Sequence, residues 1–260
     1  MPSFDDYFAL YDKGAYQEAY DILREIMETQ PRWSRVGQLY VWCANLELAV
    51  NDDVCKARDL LERARELGCS HMAPYYNTLG YVLWRTGDRD TGIQYLEKSV
   101  ALHPSVFHLT SLGELLSADD DKRAIWIWRR VLQEDPMNCS AYIRLGEEAA
   151  KSGNTGQALL MAKRAEKLNP SVENLFDIGG LYHELGEYEI AVNKYLQVNR
   201  LGYEPKGPLY ASIAASYLSL GEASMARKYA EWALRSNPEN DYVKHIWREY
   251  EGRFGEPEAQ

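Results

Sequence analysis

Proline recurs in this chain at a nearly constant step, and that step limits the fold before any local propensity does. Pro104, Pro136, Pro170, Pro205 and Pro238 stand 32, 34, 35 and 33 residues apart. Pro31 precedes Pro104 by 73 residues, room for two units whose shared marker is missing near Cys69. A period in the thirties means that one small supersecondary unit is copied along the chain. Each copy is too small to bury its own apolar face and stacks on the next to do so.

Inside each period the apolar residues step by three and four, stop at a glycine, and resume the same step. Tyr142, Leu145, Gly146 and Ala149 precede Gly153, and Ala158, Ala162 and Ala165 follow it. Leu175, Ile178, Gly179 and Tyr182 precede Gly186, with Ala191, Tyr195 and Val198 beyond; Tyr210, Ile213, Ala214 and Tyr217 stand in the same way to Gly221, Ala226, Ala230 and Ala233. Such steps place the residues on one face of a helix, so the unit is a helix, a glycine turn and a second helix. Gly87, Gly153, Gly186 and Gly221 supply the left-handed residue that ends the first helix. The proline closes the second, having no N–H to continue the ladder. Gly146 and Gly179, with Ala191 opposite, are small enough to let two helices cross closely, and Ser105 and Ser171 are the expected N-caps.

This order of aromatic, Leu-Gly, Tyr, glycine turn, Ala and Pro resembles the tetratricopeptide repeat family. The resemblance spans nearly the whole chain. It implies an all-α, right-handed α-solenoid superhelix of stacked antiparallel helix pairs, with about seven repeats at 3–31, 36–69, 73–104, 106–136, 139–170, 172–205 and 207–238. The third, fifth, sixth and seventh follow the pattern closely. The first, second and fourth are degenerate: the second carries "AVNDDVCK" at its turn, and the fourth replaces its glycine by "SADDDK". Beyond residue 238, Tyr242, Val243, Ile246, Trp247 and Tyr250 share one helix face, which reads as a capping helix over 239–252, or alternatively a self-association helix, followed by a flexible tail over 253–260.

Charge and motif content exclude most chemistry. The chain carries a net charge of −10 and no run of basic residues, which argues against nucleic acid and anionic membrane. The acidic "MPSFDDYFALYDKG" start and the lack of an eighteen-residue apolar stretch point to a cytoplasmic protein. Cys43, Cys55, Cys69 and Cys139 are too scattered to ligate a metal and read as small buried thiols. His103 and His108 flank Pro104 and read as solvent-facing. No phosphate loop, nucleophile–base pair or cofactor motif is present, so no enzyme activity and no cofactor are expected.

What the resemblance implies is a protein–protein interaction module, whose first helices line a concave groove for a peptide or partner helix. Carried onto this chain residue by residue, the groove positions are Asn77, Tyr81 and Trp84 in the third repeat, and Phe107, Thr110, Glu114 and Ser117 in the fourth. Ser140, Ile143 and Glu147 follow in the fifth, and Glu173, Phe176 and His183 in the sixth. Family members that clamp an acidic C-terminus need Lys and Asn at such slots. Here Lys and Arg are nearly absent from them, so a segment that is basic and apolar is the expected ligand. Trp84, Phe107 and Phe176 have a second reading, as packing between neighbouring first helices. A self-assembling scaffold is the alternative function, with a homo-oligomer as its consequence.

Overall fold

The computed structural model describes residues 2–30, 32–168 and 170–254. Pro31, Asn169 and the 255–260 part of the expected tail lie outside them. Among the described residues the regular structure is fifteen α-helices and one short 3-10 turn at Trp33–Arg35, with no strand. The helices pair in chain order as the period requires. The first four pairs are α1 (Phe4–Asp12) with α2 (Tyr16–Thr29), α3 (Gly37–Asn51) with α4 (Val54–Glu66), α5 (Ala73–Arg85) with α6 (Arg89–Leu102), and α7 (Val106–Ala118) with α8 (Arg123–Glu134). Then come α9 (Cys139–Lys151) with α10 (Thr155–Glu166), α11 (Val172–Glu184) with α12 (Tyr188–Arg200), and α13 (Lys206–Leu220) with α14 (Ala223–Ser236), before the single α15 (Asp241–Phe254). The chain divides into two compact units, Met1–Glu134 with four pairs and Asp135–Gln260 with three pairs and α15.

Each element begins and ends for a local reason. Ser105 and Ser171 cap α7 and α11, their hydroxyls accepting from the backbone N–H of His108 and Asn174. Ser3 and Asp6 form a reciprocal capping box at α1. Gly87, Gly153, Gly186 and Gly221 all have positive φ, between 76° and 98°. In the degenerate second and fourth repeats an aspartate takes this conformation instead: Asp52 at φ 53° and Asp120 at φ 52°. A short polar side chain is the usual substitute for glycine in the left-handed region.

Helix crossings explain the small residues. A Cβ on Gly80 would lie 2.7 Å from the Gly92 carbonyl oxygen, so α5 and α6 touch backbone to backbone. At Gly113 and Gly179 the space is filled instead by the rings of Trp128 and Tyr195. In the first unit the core holds Tyr7, Leu23, Leu39 and Leu46, then Val41, Leu61 and Val82. In the second it runs continuously from Ile143 through Ile178, Leu181 and Ile213 to Val243, Ile246 and Tyr250 of α15. Val243, Ile246 and Tyr250 of the α15 stripe are buried within their own unit, while Trp247 is half-buried and Tyr242 exposed, and Arg253 Nη1 donates to the Leu218 carbonyl at 3.2 Å. Residues 253 and 254, expected in the tail, belong to this helix.

Two expectations about polar side chains fail. Cys55 is exposed and Cys69 and Cys139 are half-buried, leaving Cys43 as the one buried thiol of the four; helix registers, set by the larger apolar residues, decide where a small thiol falls. His108 is buried, 5% exposed, and its Nδ1 lies 2.8 Å from the His103 carbonyl and 3.0 Å from Ser105 Oγ. Its imidazole occupies the cap of α7 rather than solvent. Among the described residues no helix is long and apolar enough to cross a membrane.

Candidate functional site

In the first unit, four of the residues picked out by the sequence converge. Asn77 and Tyr81 lie one turn apart on α5, Phe107 and Glu114 two turns apart on α7, and all four line one cleft of about 190 Å³ together with Asn45 and Leu48 of α3. Asn77 is 5% exposed, and its Oδ1 has no hydrogen-bond partner. Thr110, between Phe107 and Glu114 on the same helix, also buries an Oγ1 with no partner. The Asn77 amide oxygen, an acceptor lining the cleft, loses its hydration without compensation, a cost of about 1–3 kcal/mol unless a donor arrives. Tyr81 is fixed from behind: its hydroxyl accepts from Arg85 Nη1 at 3.0 Å, while Arg85 makes a two-pronged pair with Asp52 at 2.7 and 2.9 Å. That pairing raises the guanidinium's already high pKa further.

Trp84 does not line this cleft. Its indole N–H donates to Asp119 Oδ2 at 3.0 Å, Arg89 sits 5.0 Å from its ring centroid, and Arg89 Nη1 also reaches Asp119 at 2.8 Å. Gly92 of α6 approaches its backbone and Cβ. Trp84 is thus a joint between two repeats, the second reading kept for it. Ser117 is likewise a packing residue, accepting from the indole of the fully buried Trp128 at 2.9 Å.

A second, larger cleft of about 470 Å³ adjoins the first, sharing Asn45 and Phe107. Its walls are Tyr7, Phe8 and Tyr11 of α1, Trp42 of α3, and Pro74, His103, Phe107 and His108. Trp42 stacks on Tyr7 with ring centroids 5.4 Å apart and meets Phe8 edge-on at 5.5 Å. Phe8 and Phe107 remain 45% and 46% exposed. Apart from Phe107 the sequence reading missed this cleft because it followed the well-formed repeats, whereas Tyr7, Phe8, Tyr11, Trp42 and Asn45 come from the degenerate first and second. The aromatic steps Tyr7–Tyr11 and Phe8 in "YFALY", set against Trp42 in "YVWCAN", are the signal that was there to find.

The second unit treats its predicted residues differently. Ile143 is 1% exposed and belongs to the core, since α9 turns this position toward α11 and not outward. Phe176 stacks on Tyr203 at 5.1 Å and tilts against Tyr195 at 5.3 Å, the packing reading again. His183 Nδ1 lies 2.9 Å from Ser216 Oγ, whose own hydroxyl donates to the Ser212 carbonyl, so the imidazole donates through Nδ1. Burial lowers the pKa of His183. Ser140 donates to Asn174 at 3.3 Å. Glu147 is reached by Arg144 at 2.9 Å, and the same guanidinium reaches Asp177 at 3.2 Å. Burial holds the carboxyls of Glu147, Asp177 and Glu184 above the usual range, only partly opposed by Arg144 at the first two. Glu173 is exposed in the first turn of α11.

Among the described residues no cluster of three His, Cys, Asp or Glu side chains forms a potential metal site. Residues 73–105, which are the α5–α6 pair, match the tetratricopeptide repeat model. A 133-residue stretch is 32% identical to Superkiller protein 3 of Schizosaccharomyces pombe, covering 50% of this chain and 9% of that protein. The matched stretch thus spans about a tenth of that relative's length. By fold it is similar to a chain in the crystal structure of the APC/C hetero-tetramer Cut9-Hcn1, with a TM-score of 0.76 at 15% identity over 94% of this chain and 48% of that one. It is also similar to a tetratricopeptide repeat protein from Parabacteroides merdae, with a TM-score of 0.66 at 14% identity over 95% and 96% of the two chains.

Proposed function

Because the chain is built of tetratricopeptide repeats, we propose that it is a non-enzymatic interaction module that captures a segment bearing Lys or Arg and a large apolar side chain on the first-helix face of Met1–Glu134. The observation that carries this reading is the convergence of Asn77, Tyr81, Phe107 and Glu114 on one cleft, where Asn77 buries an Oδ1 that lacks a donor. A cationic head group brings N–H donors, and the Glu114 carboxylate complements its charge. Phe107, still 46% exposed, offers area to the apolar neighbour at small entropic cost. In the second unit Glu147 and Glu173 steer a basic partner electrostatically without anchoring it. The hetero-tetrameric setting of the Cut9 assembly supports a life in complexes. The four free cysteines fit a reducing compartment, and we place the protein in the cytoplasm. The self-assembly alternative is weaker, since α15 spends Val243, Ile246 and Tyr250 of its stripe within its own unit.

The test is a titration with a peptide carrying Lys and Leu and its Asp-for-Lys counterpart, against wild type and Glu114→Lys. Wild type should prefer the basic peptide, less so as salt shortens screening to about 8 Å; Glu114→Lys should invert the preference. Equal binding of both peptides by both proteins refutes the assignment.

A further inference from the structure

The second helices of the third and fourth repeats border a cleft that the first-helix sites do not use. It measures about 380 Å³ and lies between α6 and α8, over Leu112 and Leu116 of α7. Those leucines stand on a different side of α7 from Phe107, Ser111 and Glu114, which line the Asn77 cleft. Val100 of α6 and Ile127 of α8 complete the apolar interior. Three charged side chains border it: Glu97, Arg123 and Arg130. Glu97 and Arg123 answer each other at 2.6 Å, bridging α6 to α8, and Asp121 also holds Arg123. Arg130 stands two turns further along α8, about 10 Å on, and makes no ion pair or hydrogen bond among the described residues. The charge left uncompensated at this cleft is therefore positive, on a chain whose net charge is −10.

The helix beside it repeats the message. Within α8, Arg123, Arg129 and Arg130 face Glu134 as the only acid. Trp126, one turn before Arg130 on the same side of α8, is 71% exposed, more than any other large hydrophobic side chain among the described residues. Arg129 lies 5.4 Å from its ring centroid. Tryptophan and arginine are the residue types on which binding energy concentrates. An apolar side chain fits the interior, and a carboxylate close to it in sequence fits Arg130, through the paired N–H···O bonds of guanidinium and carboxylate. A nucleic acid strand suits the site less well, because its repeated phosphates meet Glu97 and the aspartates at 119–121 just before α8. A long acyl chain overruns an interior two helical turns in length.

We propose that the α6–α8 cleft, with Trp126 at its border, is a second docking surface, for an acidic protein segment that sets a large apolar side chain on Leu112, Leu116 and Ile127 and an Asp or Glu on Arg130. It differs in place and in sign from the basic-segment reading of the first helices, and does not rest on it.

The experiment titrates a short peptide carrying Phe and Glu, with its Ser-for-Phe counterpart and an oligouridine as controls, into the full chain and into Arg130→Glu and Trp126→Ala. Both residues are exposed, so their replacement leaves the helix packing intact, which melting curves of the variants check. The Phe- and Glu-bearing peptide should bind wild type, less tightly as salt rises, and bind each variant about tenfold more weakly, the loss of one anchor. The Lys- and Leu-bearing peptide should bind Arg130→Glu as it binds wild type. Failure of the acidic peptide to bind at millimolar concentration, equal binding by wild type and both variants, or equal affinity for either control overturns the proposal. If the acidic peptide fails while the Lys- and Leu-bearing peptide binds, this inference falls and the functional reading stands; the reverse result removes only the latter.

Discussion

In Asp135–Gln260 each first helix ends on a glycine, Gly153, Gly186 or Gly221, with φ between 76° and 77°. In Met1–Glu134 two of the four equivalent turns are the aspartates Asp52 and Asp120. The same contrast runs through the face made by the first helices. The regular unit closes on itself: Phe176 stacks on Tyr203, His183 engages Ser216, and Arg144 bridges Glu147 and Asp177. The irregular unit leaves two adjoining clefts, buried acceptors without donors and rings half in solvent. A position that follows the repeat consensus has its neighbours supplied by the next copy, so its groups are satisfied internally. Beside the degenerate repeats of the first unit, some of those groups are not satisfied in this way.

The largest expected effect tests how rigidly each unit is crossed. Gly80→Leu should destabilise the first unit by about 3 kcal/mol, the upper end of the overpacking range, because the obstruction 2.7 Å away is the Gly92 backbone carbonyl. Gly146→Leu in the second unit should cost only about 1–2 kcal/mol, since what blocks it is the flexible Cδ2 end of Leu181 at 2.6 Å. Urea unfolding of both variants checks this, and equal losses would show that the crossings are equally tight. Trp84→Ala comes next, at about 2 kcal/mol of stability, below the 3–5 kcal/mol of a fully buried tryptophan. Its affinity for the basic peptide should be unchanged; a loss of affinity at unchanged stability would return Trp84 to the binding face.

A pH series separates the units by their histidines. Burial lowers the pKa of His183 and of His108, so each contributes stability above the ordinary histidine value of about 6.5 and loses it as pH falls from there through the folded-state value. Between about pH 7 and pH 5.5, His183→Asn should flatten the fall in unfolding midpoint of the second unit. Glu147, Asp177 and Glu184, raised in the folded state, act with the opposite sign and nearer the carboxylate range. An unchanged pH slope in His183→Asn would mean the imidazole is not held neutral.

The smallest effect concerns the turns themselves. Asp52→Gly gains left-handed freedom and loses a partly exposed pair with Arg85, so it should be neutral within about 0.5 kcal/mol. Gly153→Asp, with nothing to clasp in exchange, should cost about 1 kcal/mol. Thermal melts of the two reciprocal variants decide whether aspartate is a defect or a substitute.

The fold was legible because its determinants are local and repeated: a proline stop, a turn residue and a helical step recur in nearly every copy, and each copy repeats the message. Even the degenerate turns kept their conformation, with aspartate filling the place of glycine. Legibility of the site was partial. Asn77, Tyr81, Phe107 and Glu114 line one cleft because the repeat register fixes which way a first-helix position faces. Register does not say whether a ring at that position meets solvent or a neighbour, so Trp84 and Phe176 could not be resolved by it. Glu47 makes the same point inside the core. Burial opposes its ionisation, yet donors from Lys56, Tyr20 and Asn51 hold its carboxyl below the usual range, and those three residues come from three different helices. By itself, then, the sequence determined the helix pairs, their order and the outward-facing stripe of each. Only the tertiary structure decided which members of that stripe line a cleft and which pack against a neighbour. Pairing depends on side chains from different helices meeting at atomic distances, and no periodicity along the chain encodes those distances.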